Sequence, residues 1–140
     1  MKIAIINGPN LNMLGTRNPE VYGSKTLKDL ESDLLECSKE LDVELLFFQS
    51  NIEGEIINFI HSLKEKQVGG IVINPAAYTH TSIAIRDAIE AVEISTIEVH
   101  ISNVHKRDEF RHKSYISAVT RGQIVGLGFK GYELAIRALI

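Results

Sequence analysis

The sequence contains little cysteine and proline, few aromatic residues, and no long apolar run. Its single cysteine, Cys37, excludes an internal disulfide and a thiolate metal cluster, and its helical surroundings favour a packed thiol. No apolar stretch approaches the length of a bilayer, and the run after Met1 is too short and too poor in positive charge for a signal peptide. We therefore expect a cytoplasmic protein.

Charge of one sign is not concentrated anywhere in the chain. The net charge is -3, and neither the basic nor the acidic residues form blocks, so no basic face for nucleic acid is indicated. The five histidines form no H-x-x-x-H or cysteine-containing metal pattern; they are His61, His80, His100, His105 and His112. We expect a small-molecule ligand, with no metal, nucleic acid or membrane partner.

Short apolar runs alternate with segments of helical periodicity. The runs are β-branched and of strand length, at residues 2–6, 43–48, 69–73, 95–101 and 123–128. Helical patterns begin near Thr26, Ile56, Ile83 and Tyr132. This alternation predicts an α/β fold of the flavodoxin-like kind, a doubly wound five-stranded parallel sheet with helices on both faces. The 140 residues, 44% of them hydrophobic, suit a single domain over 1–140.

Polar residues follow several of the predicted strands. Asn10 follows the first strand, Asn74 follows the third, and His100 and Ser102 end the fourth. Doubly wound sheets bind ligands outside the carboxyl ends of their strands, where the strand order reverses. These residues are therefore candidates for one site.

The first connection is unusually long, running from about Gly8 to Lys25. Such loops are often lids or binding loops, and we predict a lid over about residues 15–25. It carries Arg17 and Tyr22. A phenol titrates near pH 10 and becomes a useful base only beside a cation, which Arg17 would supply. Surface packing of the two side chains is the open alternative.

The segment "IEVHIS" places Glu98 and His100 two residues apart in a predicted strand. Residues at this spacing point to the same face, so the carboxylate can orient the imidazole and stabilise its charged form. That arrangement is typical of a general acid. A buried polar pair with no catalytic role is the open alternative.

Two further segments are candidates for ligand binding. In "NPAAYTHTS", residues 74–82, a hydroxyl of Thr79, Thr81 or Ser82 is suited to cap the following helix, which leaves His80 without a capping role. In "SNVHKRDEFRHKS", residues 102–114, most charges are expected to form a solvated face, with one arginine available to an anionic or polyhydroxy ligand.

The segment "GLGFKG" matches G-x-G-x-x-G at Gly126, Gly128 and Gly131. Only nine residues follow Gly131, which leaves no room for the second strand and ribose-binding acid of a dinucleotide site. We attribute the glycines to tight packing between strand and helix and expect no cofactor.

Four ordered blocks together resemble the type II 3-dehydroquinate dehydratases. They are "INGPNLNMLGTRNPEVYG", "NPAAYTHTS", "IEVHISNVHKRDEFRH" and "GLGFKGYELA", and the resemblance runs from Lys2 to about Leu139. It implies a hydro-lyase of the shikimate pathway and aromatic amino acid biosynthesis. The reaction implied is the reversible dehydration of 3-dehydroquinate to 3-dehydroshikimate, by anti elimination through an enolate and without a cofactor.

The resemblance also implies catalytic roles for five residues. Tyr22 would be the proton acceptor, and Arg17 would lower its pKa and stabilise the transition state. Asn10 would stabilise the enolate. His100 would be the proton donor, with Glu98 orienting its ring.

The remaining implied roles concern binding and assembly. Ile101 and Ser102 would hold the substrate carboxylate, while the ring hydroxyls and carbonyl region would be fixed by Asn74, His80 and Arg111. Asp87 matches a family position that reaches a neighbouring subunit's site. The family assembles as a homododecamer, a tetramer of trimers, and the resemblance implies the same arrangement here.

Three other functions are weighed against this one. A noncatalytic flavodoxin-like module for a small ligand or phosphate would need a Ser/Thr/Gly-rich anion loop, whereas "NGPNLNMLG" is rich in Asn and apolar residues. A response-regulator-like receiver would need acids where Asn7 and Asn74 stand. A Schiff-base dehydratase would need a lysine at a strand end, and none is found at the predicted ends.

Overall fold

The computed structural model describes residues 1–16 and 19–140, and for Val21 and Tyr22 it describes only the backbone. Its five strands are β1 (Lys2–Asn7), β2 (Glu44–Gln49), β3 (Gly70–Asn74), β4 (Thr96–His100) and β5 (Gly122–Val125). They form one parallel sheet in the order β2-β1-β3-β4-β5. This is the flavodoxin-like order, so the predicted fold is confirmed.

The four longer of the five helices in the described part of the chain begin close to where the sequence predicts them. The helices are α1 (Pro19–Tyr22), α2 (Leu27–Leu41), α3 (Glu53–Ser62), α4 (Ile83–Val92) and α5 (Lys130–Leu139). The start of α2 is a capping box, in which Thr26 Oγ1 accepts from the Asp29 N–H and Asp29 Oδ2 accepts from the Thr26 N–H. At the start of α4, Ser82 Oγ accepts from the Ile85 N–H at 2.9 Å.

The strand alternation divides the core into two layers. Ile3 and Ile5 pack with α2 and α5 on one face of the sheet, whereas Ala4 and Ile6 pack with α3 and α4 on the other. All four side chains are completely buried. Burying each isoleucine contributes roughly 1.5–3 kcal/mol, which is why a strand buried on both faces is apolar almost throughout.

The same alternation orients the polar residues at the strand ends. Ile97 and Val99 belong to the α2/α5 layer, so Glu98 and His100 point toward the opposite face. Asn74 is two residues beyond Val72, a member of the α2/α5 layer, and therefore points toward α5. At the carboxyl edge of the sheet, Glu98 and His100 thus point to one face and Asn74 points to the other.

The first connection contains more regular structure than the sequence predicts. Residues Leu11–Met13 form a single 3₁₀ turn, and α1 lies inside the predicted lid. Leu11 and Leu14 are buried in the α2/α5 layer. The early part of this connection is therefore part of the packed domain.

The glycine-rich segment after β5 divides into a turn and a packing contact. Gly126 and Gly128 have φ values of 87° and 60°, a region that disfavours side chains, so the strand ends earlier than predicted. A Cβ at Gly131 would lie 3.3 Å from Ile124 Cγ2. The predicted tight packing between strand and helix is thus found at Gly131, whereas the other two glycines form the turn.

Candidate active site

A cavity lies at the carboxyl ends of β1, β3 and β4. It adjoins the reversal of strand order between β1 and β3, where ligands bind in doubly wound sheets. Its polar lining residues are Asn10, Asn74, His80, His100, Ser102, Arg107 and Arg111, and Ile101 lies in its wall. All of these residues except Arg107 are predicted for the site from the sequence. The fold therefore brings seven predicted residues to one cavity.

His100 and Glu98 form a hydrogen-bonded pair at the end of β4. Glu98 Oε2 lies 2.5 Å from His100 Nε2, and the two residues are 0% and 5% exposed. An ionised carboxylate only accepts, so Nε2–H donates to it, and Nδ1 is the ring nitrogen left for a ligand. The contact predicted from the two-residue spacing is confirmed.

Two hydroxyls that the sequence interpretation missed as site residues also bind Glu98. Thr79 Oγ1 donates to Oε2 at 2.5 Å, and Ser114 Oγ lies 2.9 and 3.0 Å from the two carboxylate oxygens. The sequence indicates Thr79 only as a possible helix cap, a role that Ser82 takes instead. No local pattern points to Ser114, which is 16 residues from Glu98 along the chain.

These contacts keep the buried carboxyl ionised. Burial by itself raises the pKa of Glu98, but the hydrogen bond and charge of His100, together with the hydroxyls of Thr79 and Ser114, lower it further than burial raises it. The net pKa lies below the usual range of a glutamate. Glu98 is therefore a permanent acceptor for His100 near neutral pH.

His80 lies beside His100, with 6.4 Å between the ring centroids. Its Nδ1 donates to the Lys113 carbonyl at 2.7 Å, because a carbonyl can only accept, so Nε2 is the nitrogen left for a ligand. Burial lowers the pKa of His80, and the charges of His100 and Arg111 lower this pKa further. The hydrogen bond to the Lys113 carbonyl raises it, but by less. With its pKa lowered overall, His80 is suited to bind a hydroxyl as a neutral ring.

Asn74 is held by a buried network beneath the cavity. The Tyr132 hydroxyl donates to Asn7 Oδ1 at 2.6 Å and accepts from Asn74 Nδ2 at 2.8 Å. Asn74 Oδ1 accepts from the Ala76 N–H at 3.0 Å. Because both ends of the amide have a partner, its orientation is fixed, and one N–H and one lone pair remain for a ligand.

Asn10 lines the cavity from the connection after β1. Its backbone has φ 69°, a left-handed conformation that asparagine tolerates better than most residues. Its N–H donates to Asn51 Oδ1 at 2.9 Å, and the Asn51 carbonyl accepts from the Tyr78 hydroxyl at 2.8 Å. Asn51, which the sequence interpretation did not single out, thus anchors this part of the loop.

Ile101 and Ser102 extend the cavity wall beyond β4. Ile101 is 7% exposed, and its carbonyl accepts from the Gly128 N–H at 3.0 Å. Arg107 Nη1 donates to Ser102 Oγ at 3.3 Å. The sequence indicates Arg107 only as part of a charged, mostly solvated segment, whereas the fold places it in the cavity wall.

Arg111 brings a second guanidinium to the cavity. Its Nε is 3.7 Å from Asp108 Oδ2, which is too long for a hydrogen bond. This nitrogen is buried and has no hydrogen-bond partner among the described residues. Burying such a group without a partner is unfavourable, and Arg111 lines the cavity.

Among the predicted site residues that the structure describes, Glu98 and Asp87 do not line this cavity, and Glu98 contacts it through His100. Asp87 is not among the lining residues; it lies on α4, its side chain is 65% exposed, and it accepts from Arg86 Nη1 at 3.2 Å. Arg17 and the side chain of Tyr22 lie outside the described residues. The catalytic and binding roles predicted for all of the site residues, and the lid predicted over 15–25, stay predictions.

Cys37 is a free, half-buried thiol in α2, and burial raises its pKa. Within 1–16 and 19–140, no group of three or more His, Cys, Asp or Glu side chains is arranged to hold a metal ion. In the same ranges no helix combines the length and the apolar character needed to cross a membrane.

Comparison with known proteins gives matches over nearly the whole chain. The 3-dehydroquinate dehydratase of Bacillus pumilus (strain SAFR-032) is 57% identical over 136 residues, covering 97% of this chain and 92% of the relative. The 3-dehydroquinate dehydratase of Clostridium perfringens (strain SM101 / Type A) is 58% identical over 139 residues, covering 99% and 95%.

Solved structures give the same result for the fold. The crystal structure of the type II dehydroquinase from Butyrivibrio crossotus DSM 2876 has a TM-score of 0.98 and 51% identity, and the match covers 99% of this chain and 97% of that one. The family model described as dehydroquinase class II matches residues 1–140. The chain is a member of the class II dehydroquinase family.

Proposed function

We propose that this chain catalyses the reversible dehydration of 3-dehydroquinate to 3-dehydroshikimate, as a step of the shikimate pathway. The observation that carries the proposal is the Glu98–His100 pair in a cavity at the strand-order reversal. A buried carboxylate paired with an imidazole that lines the cavity is suited to protonate a leaving group. Membership of the class II dehydroquinase family, with relatives named 3-dehydroquinate dehydratase, supplies the substrate.

The first chemical step is removal of the proton next to the substrate ketone. Tyr22, as phenolate, is the proposed base, and Arg17 lowers its pKa by favouring the charged form. The electron pair of the broken C–H bond moves onto the ketone oxygen and forms an enolate. Asn10 is the proposed donor to that oxygen, which is supported by its position in the cavity lining.

The second step is loss of the hydroxyl. The imidazolium of His100 gives a proton to the departing oxygen, the C–O bond breaks, and water leaves as the enolate collapses to the conjugated enone. Glu98 favours the charged ring, since an adjacent carboxylate stabilises an imidazolium. The Nε2 contact with Glu98 supports Nδ1 as the nitrogen that faces the substrate.

Substrate binding is assigned to residues around this pair. The Ile101 backbone and the Ser102 hydroxyl hold the carboxylate, and Asn74, His80 and Arg111 hold the hydroxyls and carbonyl region. The position of Arg111 in the cavity lining and the fixed amide of Asn74 support these roles. No cofactor is required, because the reaction moves protons and water only.

We further propose that the protein works as a dodecamer, a tetramer of trimers, in which Asp87 reaches a neighbouring subunit's site. The exposure of Asp87 and its position outside the cavity of its own chain are compatible with that role. Sedimentation analysis of the wild-type protein tests the assembly. A stable monomer with full activity would contradict it.

The activity is tested by mixing the purified protein with 3-dehydroquinate and following the ultraviolet absorbance of the enone. We expect Tyr22→Phe and His100→Ala each to lose on the order of a hundredfold or more in turnover, since each removes a proposed acid or base. Tyr115→Phe is the matched control for loss of a phenol outside the cavity lining. No absorbance change with the wild type would sink the proposal, and normal turnover in Tyr22→Phe would place the base elsewhere.

The role of Arg17 has a test of its own. Without the cation the pKa of Tyr22 rises, so the phenolate forms only at higher pH. Arg17→Ala should therefore lower turnover and move the acid limb of the pH profile upward. An unchanged profile would remove the role assigned to Arg17.

A further inference from the structure

We propose that Thr79 and Ser114 are positioning residues that keep Glu98 ionised and thereby hold His100 with Nε2–H on Glu98 and Nδ1 open to the substrate. The relevance of this arrangement to dehydration rests on the proposed function. The two residues come from different segments, one between β3 and α4 and the other after residues 109–111. Both reach the face of β4 to which Glu98 and His100 point.

The hydroxyl of Ser114 has only one direction left for its hydrogen. Its oxygen accepts from the Ile116 N–H at 3.1 Å and from the Ser117 N–H at 3.0 Å. A serine hydroxyl has two lone pairs and one hydrogen, so two accepted bonds leave the hydrogen to be donated. The carboxylate oxygens of Glu98, at 2.9 and 3.0 Å, are nearer than the Thr79 hydroxyl oxygen at 3.2 Å, and they carry the negative charge that favours donation to them. The local turn therefore makes Ser114 a donor to Glu98.

Thr79 completes the surroundings of the carboxylate. Its side chain is 1% exposed, and its hydroxyl lies 2.5 Å from the same Oε2 atom that His100 contacts. Its carbonyl accepts from the Tyr115 N–H at 2.8 Å, which ties the two segments together. Thr79 and Ser114 are thus held in place relative to each other as well as to Glu98.

Loss of either hydroxyl would change the imidazole through the carboxyl. Hydrogen bonds to an ionised carboxylate favour that form, so removing one favours the protonated acid. A protonated Glu98 donates to Nε2, which moves the remaining ring proton to Nδ1 and removes the charge that stabilises the imidazolium. His100 then loses the state needed to protonate a leaving group.

Other charged or titratable residues lie near Glu98 and His100, and they must be the same in every variant that is compared. His80 stacks beside His100, Arg107 and Arg111 line the cavity, and no substitution below changes them. Tyr22 is the proposed base for the same reaction and also titrates. The test therefore compares variants that share all four residues.

The central variant is Thr79→Val, which removes the hydroxyl while keeping the shape of the side chain. The matched control is Thr96→Val at the other end of β4, where a threonine that is 2% exposed donates to the Ile94 carbonyl at 2.8 Å. Both variants lose one threonine hydroxyl, but only the Thr79 hydroxyl contacts Glu98, and it also lies 3.2 Å from Ser114 Oγ. Thr79→Ser restores the donor, and Ser114→Ala is the second test.

Kinetics provide the first readout. We expect Thr79→Val to lower kcat about tenfold with KM within about twofold, since the change acts on proton transfer rather than on binding. The basic limb of the kcat profile should move downward by about one pH unit, because a His100 imidazolium that is less stabilised by Glu98 loses its proton at lower pH. Thr79→Ser should recover most of kcat, and Thr96→Val should keep the wild-type profile. Equal profiles in the two valine variants would overturn the proposal.

The ¹⁵N signals of His100 in histidine-labelled protein provide a readout that needs no substrate. They are assigned by their loss in His100→Ala. The wild type should show the Nε2–H form, and Thr79→Val and Ser114→Ala should each shift the ring toward Nδ1–H. Unchanged signals in both variants would overturn the proposal even if activity fell. A wild type that lacks dehydratase activity but shows these shifts would refute the proposed function while supporting the positioning roles.

Discussion

The buried hydroxyl of Tyr132 provides the most direct test of how the strand ends are held. It lies between two asparagine side chains, donating to Asn7 and accepting from Asn74, and all three residues are at most 3% exposed. Burial raises the pKa of Tyr132, so the hydroxyl remains protonated and able to donate. Tyr132→Phe removes one oxygen and leaves both asparagines without this partner.

The expected cost follows from the two groups left unpaired. Asn7 Oδ1 loses its donor at 2.6 Å, and Asn74 Nδ2 loses its acceptor at 2.8 Å. Each buried polar group without a partner costs about 1–3 kcal/mol. We therefore expect Tyr132→Phe to lower the free energy of unfolding by about 3 kcal/mol, or the melting temperature by about 10 °C for a chain of this size.

The matched control is Tyr78→Phe, whose hydroxyl donates to the Asn51 carbonyl at 2.8 Å from a half-buried ring. Water can replace that bond, so we expect a loss below about 1 kcal/mol. The sequence lacks tryptophan, so urea unfolding is followed by far-ultraviolet circular dichroism at one fixed protein concentration. Equal losses in the two variants would refute the reasoning about the buried network.

Three further predictions concern stability. The pKa of Glu98 in the folded chain is below its usual 4.5, so ionised Glu98 stabilises the fold fully above pH 4.5, and this stabilisation is lost as pH falls through the folded pKa. Glu98→Gln should therefore reduce the loss of unfolding free energy at acidic pH, measured by unfolding curves across that range. A Cβ at Gly8 would lie 2.4 Å from the Pro75 carbonyl oxygen, so Gly8→Ala should lower the free energy of unfolding by roughly 3 kcal/mol in urea titrations. Ser82→Ala removes the cap of α4 and should cost about 1 kcal/mol in the same assay.

Each of these predictions has a result that contradicts it. An acid-side slope unchanged in Glu98→Gln would mean that another group causes the pH dependence. Gly54 lies in α3 with nothing within 4 Å of a Cβ, so Gly54→Ala should stabilise by about 0.5–1 kcal/mol, and the same sign in both glycine variants would reject the steric argument. A neutral Ser82→Ala would show that the cap is replaced by water.

Local sequence patterns predicted the architecture and one contact of the site. Strand length, β-branched content and helical spacing gave all five strands and the four longer helices, because each element buries a periodic apolar face. The period of two also placed Glu98 beside His100. The last strand was predicted too long, since the pattern did not distinguish the turn at Gly126 from an extended run.

The partners of the site residues were less predictable, because they come from distant parts of the chain. The sequence does not distinguish Arg107 from the other charges of a mostly solvated segment, and nothing near Ser114 marks it as a donor to Glu98. In the sequence Tyr132 is one residue of the last helical pattern, yet its hydroxyl donates a hydrogen bond to Asn7 Oδ1, 125 residues away. Such contacts depend on which elements the sheet order brings together.

The sequence by itself determined the five strands and the four longer helices, the parallel sheet with helices on both faces, and the face to which each strand residue points. These features depend on the backbone period and on burial of apolar side chains, both of which are local. Only the tertiary structure decided which hydroxyls donate hydrogen bonds to the Glu98 carboxylate, which ring nitrogen of His100 is left for a ligand, and how the Asn74 amide is oriented. A hydrogen bond depends on distances of a few tenths of an ångström between groups far apart in sequence, and those distances exist only after the elements have packed.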